Sequence, residues 1–168
     1  MAGGHMASKA RGFLELAEVK RVARVDLADA GYEGVYYVCD LTTTQQQQLL
    51  TPKGGTRMRK YQDGSFDVDL SAMSPDVNAR FLMACLVTDE ADGETLERAF
   101  EAVEGAYIVF PKPALRWLAD EWRQSMKEPA VRQLLEDIPS AVSQTIISVA
   151  LKISGVEKGG AIEEKKDN

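Results

Sequence analysis

The sequence predicts an α+β fold, with an amino-terminal β-hairpin or small antiparallel sheet packed on a mainly α-helical bundle. Residues 22–27 alternate between polar and apolar side chains, and residues 35–41 are rich in β-branched and aromatic side chains. The second half of the chain instead carries apolar side chains at helical spacing, between helix start and stop signals. Its 168 residues are enough for one domain with a hydrophobic core.

The amino-terminal elements follow from these patterns in order. Residues 13–19 predict a short amphipathic helix, and the glycine-containing segment 29–34 predicts a turn that joins two strands into a hairpin. Thr42, Thr43 and Thr44 follow the second strand, and each has a glutamine three residues later. A capping box is therefore available in three registers, which predicts the start of a helix at this point.

The middle of the chain predicts a loop followed by helices. Residues 51–69 contain proline and several glycines, with a second short hairpin predicted around Asp63-Gly64. Ser74 suits an N-cap and Pro75 suits the first helical position, so we expect a helix that extends to Thr88. The polar segment after Thr88 breaks this helix, and apolar residues at helical spacing predict another helix before Gly105.

The last third of the chain is expected to be mostly helical. Residues 107–110 fit a strand and a helix equally well. Pro113 is predicted to open a helix whose apolar stripe runs to Met126, and residues 131–138 are predicted to continue as a short helix. Pro139 then starts the final amphipathic helix, which a glycine terminates.

The two ends of the chain differ from its middle. We expect residues 1–6 to be a vector-derived scar, residues 7–156 to form a single domain, and the charged residues 157–168 to form a disordered tail. This division matters because His5 is the only histidine in the sequence. The native chain is therefore expected to contain none.

Charge and composition exclude several classes of function. The net charge of −6 argues against a surface that neutralises nucleic-acid phosphates. No secretory signal and no apolar run of membrane-spanning length is found in the sequence, which predicts a cytoplasmic protein that binds no membrane. Cys39 and Cys85 each lie in an apolar run, so free buried thiols are expected, and a disulfide is left open.

No pattern in the sequence predicts catalysis, a metal site or a cofactor site. Without a native histidine, a Ser-His or Cys-His nucleophile cannot be assembled. The acidic segment 89–93 lacks the alternating ligands of a calcium loop, because Ala91 interrupts it. Asp63, Asp67 and Asp69 are better explained as a solvated strand face. We therefore expect a protein that is not an enzyme and needs no cofactor.

Four large apolar residues are candidates for partner binding. Indoles at this spacing usually belong to the core, and Trp122 lies on the apolar stripe that follows Pro113. Trp117 is offset from this stripe, which leaves a surface position open, and an exposed tryptophan is a candidate anchor for a partner. Ile147 and Leu151 flank the main stripe of the final helix. A helix with such a broad apolar surface is either deeply buried or shared with another chain.

These segments together resemble the tail assembly chaperones of long-tailed, siphophage-type bacteriophages. The resemblance rests on the short Leu/Ala segment 13–17, the strand that steps into a polar helix at Leu41-Thr42, and the apolar run 79–89 that ends in an acidic turn. Ser154-Gly155 matches the end of the family's last helix. The resemblance covers most of residues 13–156, and the stretch 107–132 is longer than in the family pattern.

The resemblance implies a non-catalytic function in virion assembly. Such chaperones bind the tape measure protein, keep it soluble, help to recruit tail tube protein subunits, and are absent from the mature virion. The expected location is the cytoplasm of the bacterial host, with self-association left open. Glu164-Lys165-Lys166 could be encoded by a slippery sequence, as in family members that make a longer frameshifted product.

Two alternatives remain open from the sequence alone. A structural phage adaptor or tail-completion protein that is retained in the particle could share this scaffold. An enzyme or small-molecule binder would need a deep pocket with several convergent polar groups.

Overall fold

The computed structural model describes residues 12–50, 58–64, 66–90, 94–118 and 129–156. These residues form an α+β fold, as predicted, with helices on both faces of a five-stranded antiparallel sheet. The strands are β1 (Val19–Asp26), β2 (Val35–Cys39), β3 (Met58–Lys60), β4 (Phe66–Val68), β5 (Leu86–Asp89), β6 (Ile108–Pro111) and β7 (Leu115–Trp117). The order in the main sheet is β6-β1-β2-β5-β7, while β3 and β4 form a separate hairpin.

The described helices lie between these strands and after them. In chain order they are α1 (Thr43–Leu49), α2 (Pro75–Cys85), α3 (Glu94–Glu101), α4 (Pro129–Glu136) and α5 (Ser140–Ile153). The Thr42 hydroxyl accepts the Gln45 N–H, and the Gln45 side chain accepts the Thr42 N–H, so the capping box forms in the first of its three registers. The predicted Ser74 cap is also confirmed, since its hydroxyl accepts the Val77 N–H at 3.3 Å.

The predicted amino-terminal hairpin is confirmed. Strands β1 and β2 pair antiparallel, with Val22 opposite Cys39 and Val25 opposite Tyr36. The Asp26 carboxylate accepts the Ala28 N–H at 2.9 Å at the start of the turn. Gly31 ends the turn at a φ of 85°, a conformation that favours glycine. The hairpin around Gly64 is confirmed as well, because β3 pairs with β4.

The sheet is larger than predicted, because two segments expected to be helical are strands. The prediction that the helix after Ser74 extends to Thr88 is wrong. Helix α2 ends at Cys85, and β5 pairs with β2, with Leu86 opposite Val38. The β-branched residues Val87 and Thr88 favour this extended conformation once a strand edge is available for pairing. Local spacing could not reveal that partner.

The predicted helix from Pro113 is also wrong over the described residues. A 3-10 turn at Lys112–Ala114 leads into β7, which pairs with β5. Residues 119–128, which include Trp122 and Met126, lie outside the described residues. The ambiguous segment 107–110 contributes to strand β6, which pairs with the outer edge of β1.

The final helix and its stop signal agree with the sequence. Helix α5 begins directly after Pro139, and Gly155 lies just beyond its end at a φ of 75°. The amino-terminal segment departs from the amphipathic helix expected over residues 13–19. Residues 12–14 are helical, Glu15–Glu18 form a 3-10 turn, and β1 begins at Val19.

Two hydrophobic cores lie on opposite faces of the sheet. The larger core is formed with α2 and α5, where Phe81, Leu82 and Ile147 are fully buried. The smaller core lies beneath α3, where Leu96 packs with Val22, Cys39 and Val87. Because both faces of the sheet are covered, its edges are the parts most accessible to a partner.

Candidate functional site

Four exposed apolar side chains lie in the segment just before β1 and on β6, the strand that pairs with the outer edge of β1. Phe13, Leu14 and Leu16 are 73%, 70% and 62% exposed, and Val109 on β6 is 61% exposed. Leu16 and Val109 line the same surface groove. We call these four residues the amino-terminal apolar surface. Single exposed apolar residues are ordinary, but three within four successive positions, with a fourth across a shared groove, are typical of a binding surface.

The groove beside this surface has a volume of about 400 Å³ and a polar base. Buried Lys20 donates from Nζ to the Asp40 carbonyl oxygen at 2.9 Å, and its Nζ lies 3.9 Å from Asp40 Oδ1. Asp40 Oδ1 also accepts the Arg21 N–H at 3.1 Å. The Lys20 ammonium is therefore compensated within the chain, as a buried cation must be.

The end of α5 is fixed to the base of the groove. Arg21 Nη1 donates to the Ile153 carbonyl oxygen at 3.1 Å, and the Arg21 guanidinium carbon lies 5.0 Å from the centre of the Tyr107 ring. The Ser154 hydroxyl donates to the Ala150 carbonyl and accepts the Leu41 N–H at 2.8 Å. These bonds satisfy carbonyls that a helix end leaves without partners, and they attach the end of α5 to β1 and to the residue that follows Asp40.

A second candidate region is a cleft between β2 and β5. Only two residue pairs join these strands, Tyr37 with Val87 and Val38 with Leu86. Beyond Tyr37 the strands diverge around a cavity of about 360 Å³, which Val35 and Thr88 help to line. The lining is mainly apolar, and its polar groups come from Tyr37, Asp89 and Glu97.

The polar groups of this cleft already bind one another. The Tyr37 hydroxyl donates to Glu97 Oε1 at 2.6 Å, and Arg24 Nε lies 3.6 Å from the same oxygen. Asp89 is buried, and its carboxylate accepts the Leu96 N–H in the first turn of α3. Burial and the bond to Glu97 raise the pKa of Tyr37, so its hydroxyl is protonated at neutral pH. The hydroxyl is thus a hydrogen-bond donor rather than a base.

The two cysteines are unsuited to nucleophilic chemistry. Both are free and buried. Burial raises the pKa of the Cys39 thiol to about 11, and burial likewise raises the pKa of Cys85 well above its ordinary value. Because the thiolate is the reactive species, both thiols are expected to be inert in the folded chain. The expectation of free, buried thiols is confirmed.

Asp67 and Asp69, which were weighed as metal ligands, have other partners. Asp69 Oδ1 accepts from Ser71 at 2.6 Å and lies 3.3 Å from Arg59 Nη2, and these contacts lower the pKa of Asp69. Asp67 Oδ2 accepts the Tyr61 hydroxyl at 3.2 Å. Over the described parts of the chain, no three metal-binding side chains come together. None of the described helices has both the length and the apolarity to cross a bilayer.

The structure separates the four residues that the sequence proposes for partner binding. Ile147 and Leu151 are 0% and 1% exposed in the larger core, so the final helix is deeply buried and a second chain cannot reach them. Trp117 is half-buried, and its indole N–H donates to the Ala84 carbonyl oxygen at 2.9 Å. Trp122 lies outside the described residues.

Sequence reasoning missed the amino-terminal apolar surface. It assigned Phe13, Leu14 and Leu16 to an amphipathic helix, whose apolar stripe would be buried. A signal was present, because these three residues crowd into four positions beside Glu15 and Glu18 and leave no separate polar face. Val109 had no comparable signal, since its exposure depends on β6 lying at the edge of the sheet.

Comparison of this chain with protein-family models, with curated proteins and with solved structures found no match. The proposals below therefore rest on the sequence and on the geometry of the chain itself.

Proposed function

We propose that this protein is a non-catalytic tail assembly chaperone of a long-tailed bacteriophage. In this role it binds the tape measure protein, keeps it soluble, and helps to recruit tail tube subunits in the host cytoplasm. The observation that carries the proposal is the amino-terminal apolar surface. Phe13, Leu14 and Leu16 belong to the segment that resembles the family and are exposed, and Leu16 lines a groove with Val109 of β6.

The chemistry of this surface suits an extended apolar partner. A tape measure protein is a long helical chain that exposes apolar side chains before the tube encloses it. Phe13, Leu14 and Leu16 offer exposed apolar contacts of the kind that cover a helix face. Burying such side chains contributes about 1.5–3 kcal/mol each, so a few of them are sufficient for reversible binding.

The charge of the chain supports the same role. With a net charge of −6, each bound copy would add negative charge to the complex. Like-charged complexes repel one another, which opposes aggregation of the apolar partner. The cleft between β2 and β5 supports an enzymatic alternative less well, because Tyr37, Glu97 and Asp89 already bond within the chain.

The test is co-expression with the tape measure protein encoded beside this gene, followed by co-purification and a count of bound copies. We expect several copies to bind and the tape measure protein to become soluble. Replacing Phe13, Leu14 and Leu16 by serine together should abolish both effects. The matched control is Leu134→Ser, because Leu134 on α4 is equally exposed, at 67%, but lies outside the amino-terminal apolar surface.

The outcomes separate the candidate functions. Loss of binding in the triple variant but not in Leu134→Ser would support the proposal. An insoluble tape measure protein with the unmodified chain would contradict it. In that case, detection of the protein in purified virions would favour the structural adaptor or tail-completion alternative.

A further inference from the structure

The outer edge of β6 is open to a further strand. In the part of the chain that the structure describes, β6 pairs only with β1, and it ends the sheet. Its four residues, Ile108–Pro111, carry no charge. Edge strands of monomeric proteins are usually protected by charged side chains or by bulges, and on β6 only the terminal proline has this effect.

The N–H and C=O of Val109 lie in the plane of the sheet and point away from β1, towards the outer edge. Arg21 directs its N–H and C=O towards β2, because the Asp40 N–H donates to the Arg21 carbonyl at 3.0 Å and Asp40 Oδ1 accepts the Arg21 N–H. Successive residues of a strand alternate in this direction, so Lys20 and Val22 face β6. Their partners Phe110 and Ile108 face back towards β1, and Val109 between them faces outward.

We infer that two copies of this chain join through β6 to form one continuous antiparallel sheet. A two-fold axis at Val109 places this residue opposite its counterpart in the second copy. The two residues then exchange a pair of N–H···O=C hydrogen bonds, as hydrogen-bonded antiparallel pairs do. Their exposed side chains meet on the same face of the sheet, because directly opposite residues share a face.

The composition of β6 suits a second copy of the same strand. None of its four residues is charged, and the exposed Val109 would meet an identical apolar side chain across the axis. In a chain with a net charge of −6, an uncharged edge lets two copies meet without like-charge repulsion at the point of contact.

Joining the edges would also enlarge the amino-terminal apolar surface. Leu16 lies beside Val109 in each copy, so the pairing brings two such surfaces together across the axis. The pairing does not depend on the tape measure protein, and it can be tested with this chain alone.

The experiment is sedimentation equilibrium of the full chain, combined with hydrogen exchange at the Val109 amide. We expect a dimer whose Val109 amide becomes protected as the protein concentration rises. Val109→Pro removes the outward N–H without removing a hydrogen bond inside the sheet, so it should weaken dimerisation at least about tenfold. Val109→Thr keeps the N–H and the β-branched shape, and it should remain dimeric.

A further variant keeps the inference open to refutation if Val109→Pro fails to fold. Val109→Lys keeps the backbone but places like charges at the axis, and it should also give monomers. A chain that stays monomeric up to its solubility limit, or a dimer whose Val109 amide exchanges freely, would overturn the inference.

Discussion

The two faces of the main sheet are built from the same strands but are covered in different ways. On one face, α2 and α5 enclose a continuous apolar core around Phe81 and Leu82. On the other face, α3 is the described helix that packs over the core, and polar groups such as the Tyr37 hydroxyl lie at its rim. The difference indicates that most of the stability comes from the first face. Substitutions on the second face and at the edges are therefore expected to cost less stability.

Truncating one leucine on each face gives the largest expected effects. Leu82 and Leu96 are 1% and 0% exposed, so both replacements remove a fully buried side chain. We expect Leu82→Ala to lower the free energy of unfolding by about 4 kcal/mol and Leu96→Ala by about 2 kcal/mol. The smaller loss follows because the short helix α3 can shift to fill the cavity, whereas α2 is held between other elements.

Urea denaturation followed by circular dichroism measures both losses under the same conditions. The matched control is Leu134→Ala, whose side chain is exposed and whose replacement should change stability by less than about 0.5 kcal/mol. Equal losses for Leu82→Ala and Leu96→Ala would show that the two faces contribute alike and would remove the contrast between them.

The attachment of α3 to the sheet depends on Asp89. Its carboxylate accepts the Leu96 N–H at 2.9 Å and is buried at the end of β5. Asp89→Ala leaves this amide without its acceptor, which should destabilise the chain by about 1–2 kcal/mol. Asp89→Asn keeps one side-chain oxygen and should lose less.

Hydrogen exchange locates this effect. We expect the Leu96 amide to exchange faster in Asp89→Ala, while amides of α5 change only by the global loss of stability. Uniform acceleration on both faces would mean that Asp89 supports the whole sheet rather than the α3 face alone.

The contrast between local and distant information explains which parts of the fold were predictable. The capping box of Thr42 and Gln45, the Ser74 cap and the turn at Gly31 depend on residues a few positions apart, and the sequence predicted each of them. Strands β5 and β7 depend on partners far along the chain, and both were predicted as helix. Leu86 becomes a strand residue because Val38 is beside it, which helical spacing cannot reveal.

The candidate site shows the same limit. Its side chains are apolar residues with no motif of their own, and burial alone decides whether such residues form a core or a surface. Ile147 and Leu151 were proposed for partner binding and lie in the core, whereas Phe13 and Leu16 were placed on an amphipathic stripe and lie exposed. The edge position of Val109 follows only from the strand order.

Trp117 packs against the smaller core, and its indole links β7 to the end of α2. Its indole N–H donates at 2.9 Å to the Ala84 carbonyl, one of the last carbonyls of α2, which a helix end leaves without a partner. Trp117→Phe keeps most of the apolar contact but removes the donor. We expect a loss of about 1 kcal/mol, measured by urea denaturation.

The outcome bears on how Trp117 is used. The sequence left a surface position open for Trp117. A tryptophan that acts as an exposed partner anchor would be replaced by phenylalanine without loss of stability, and the replacement would weaken partner binding instead. A measurable loss of stability with unchanged binding would assign the indole to the attachment of β7.

The Tyr37 hydroxyl gives the smallest effect at neutral pH and a distinct dependence on pH. Tyr37→Phe removes its 2.6 Å bond to Glu97, which should lower stability by about 0.5–1 kcal/mol, because Glu97 is partly exposed. Burial and the bond to Glu97 raise the pKa of Tyr37 above its ordinary value of 10.0. The unfolded chain therefore releases this proton first as the pH rises.

The sign of the pH effect follows from this order. The contribution of Tyr37 to stability is fully present below pH 10 and decreases as the pH rises from 10 towards the higher pKa of the folded chain. The melting temperature should fall as the pH rises from 10 to 11, and it should fall less in Tyr37→Phe. Cys39, whose pKa of about 11 is also raised, contributes equally in both proteins.

Tyr36→Phe is the matched control, because it removes the same hydroxyl from the neighbouring residue, which is 44% exposed and carries its side chain on the opposite face. If Tyr36→Phe and Tyr37→Phe flatten the pH dependence equally, the bond to Glu97 is not its cause. If only Tyr37→Phe does so, the α3 face carries a polar contact that is lost at alkaline pH, while the apolar face beneath α2 and α5 is unaffected by the same change.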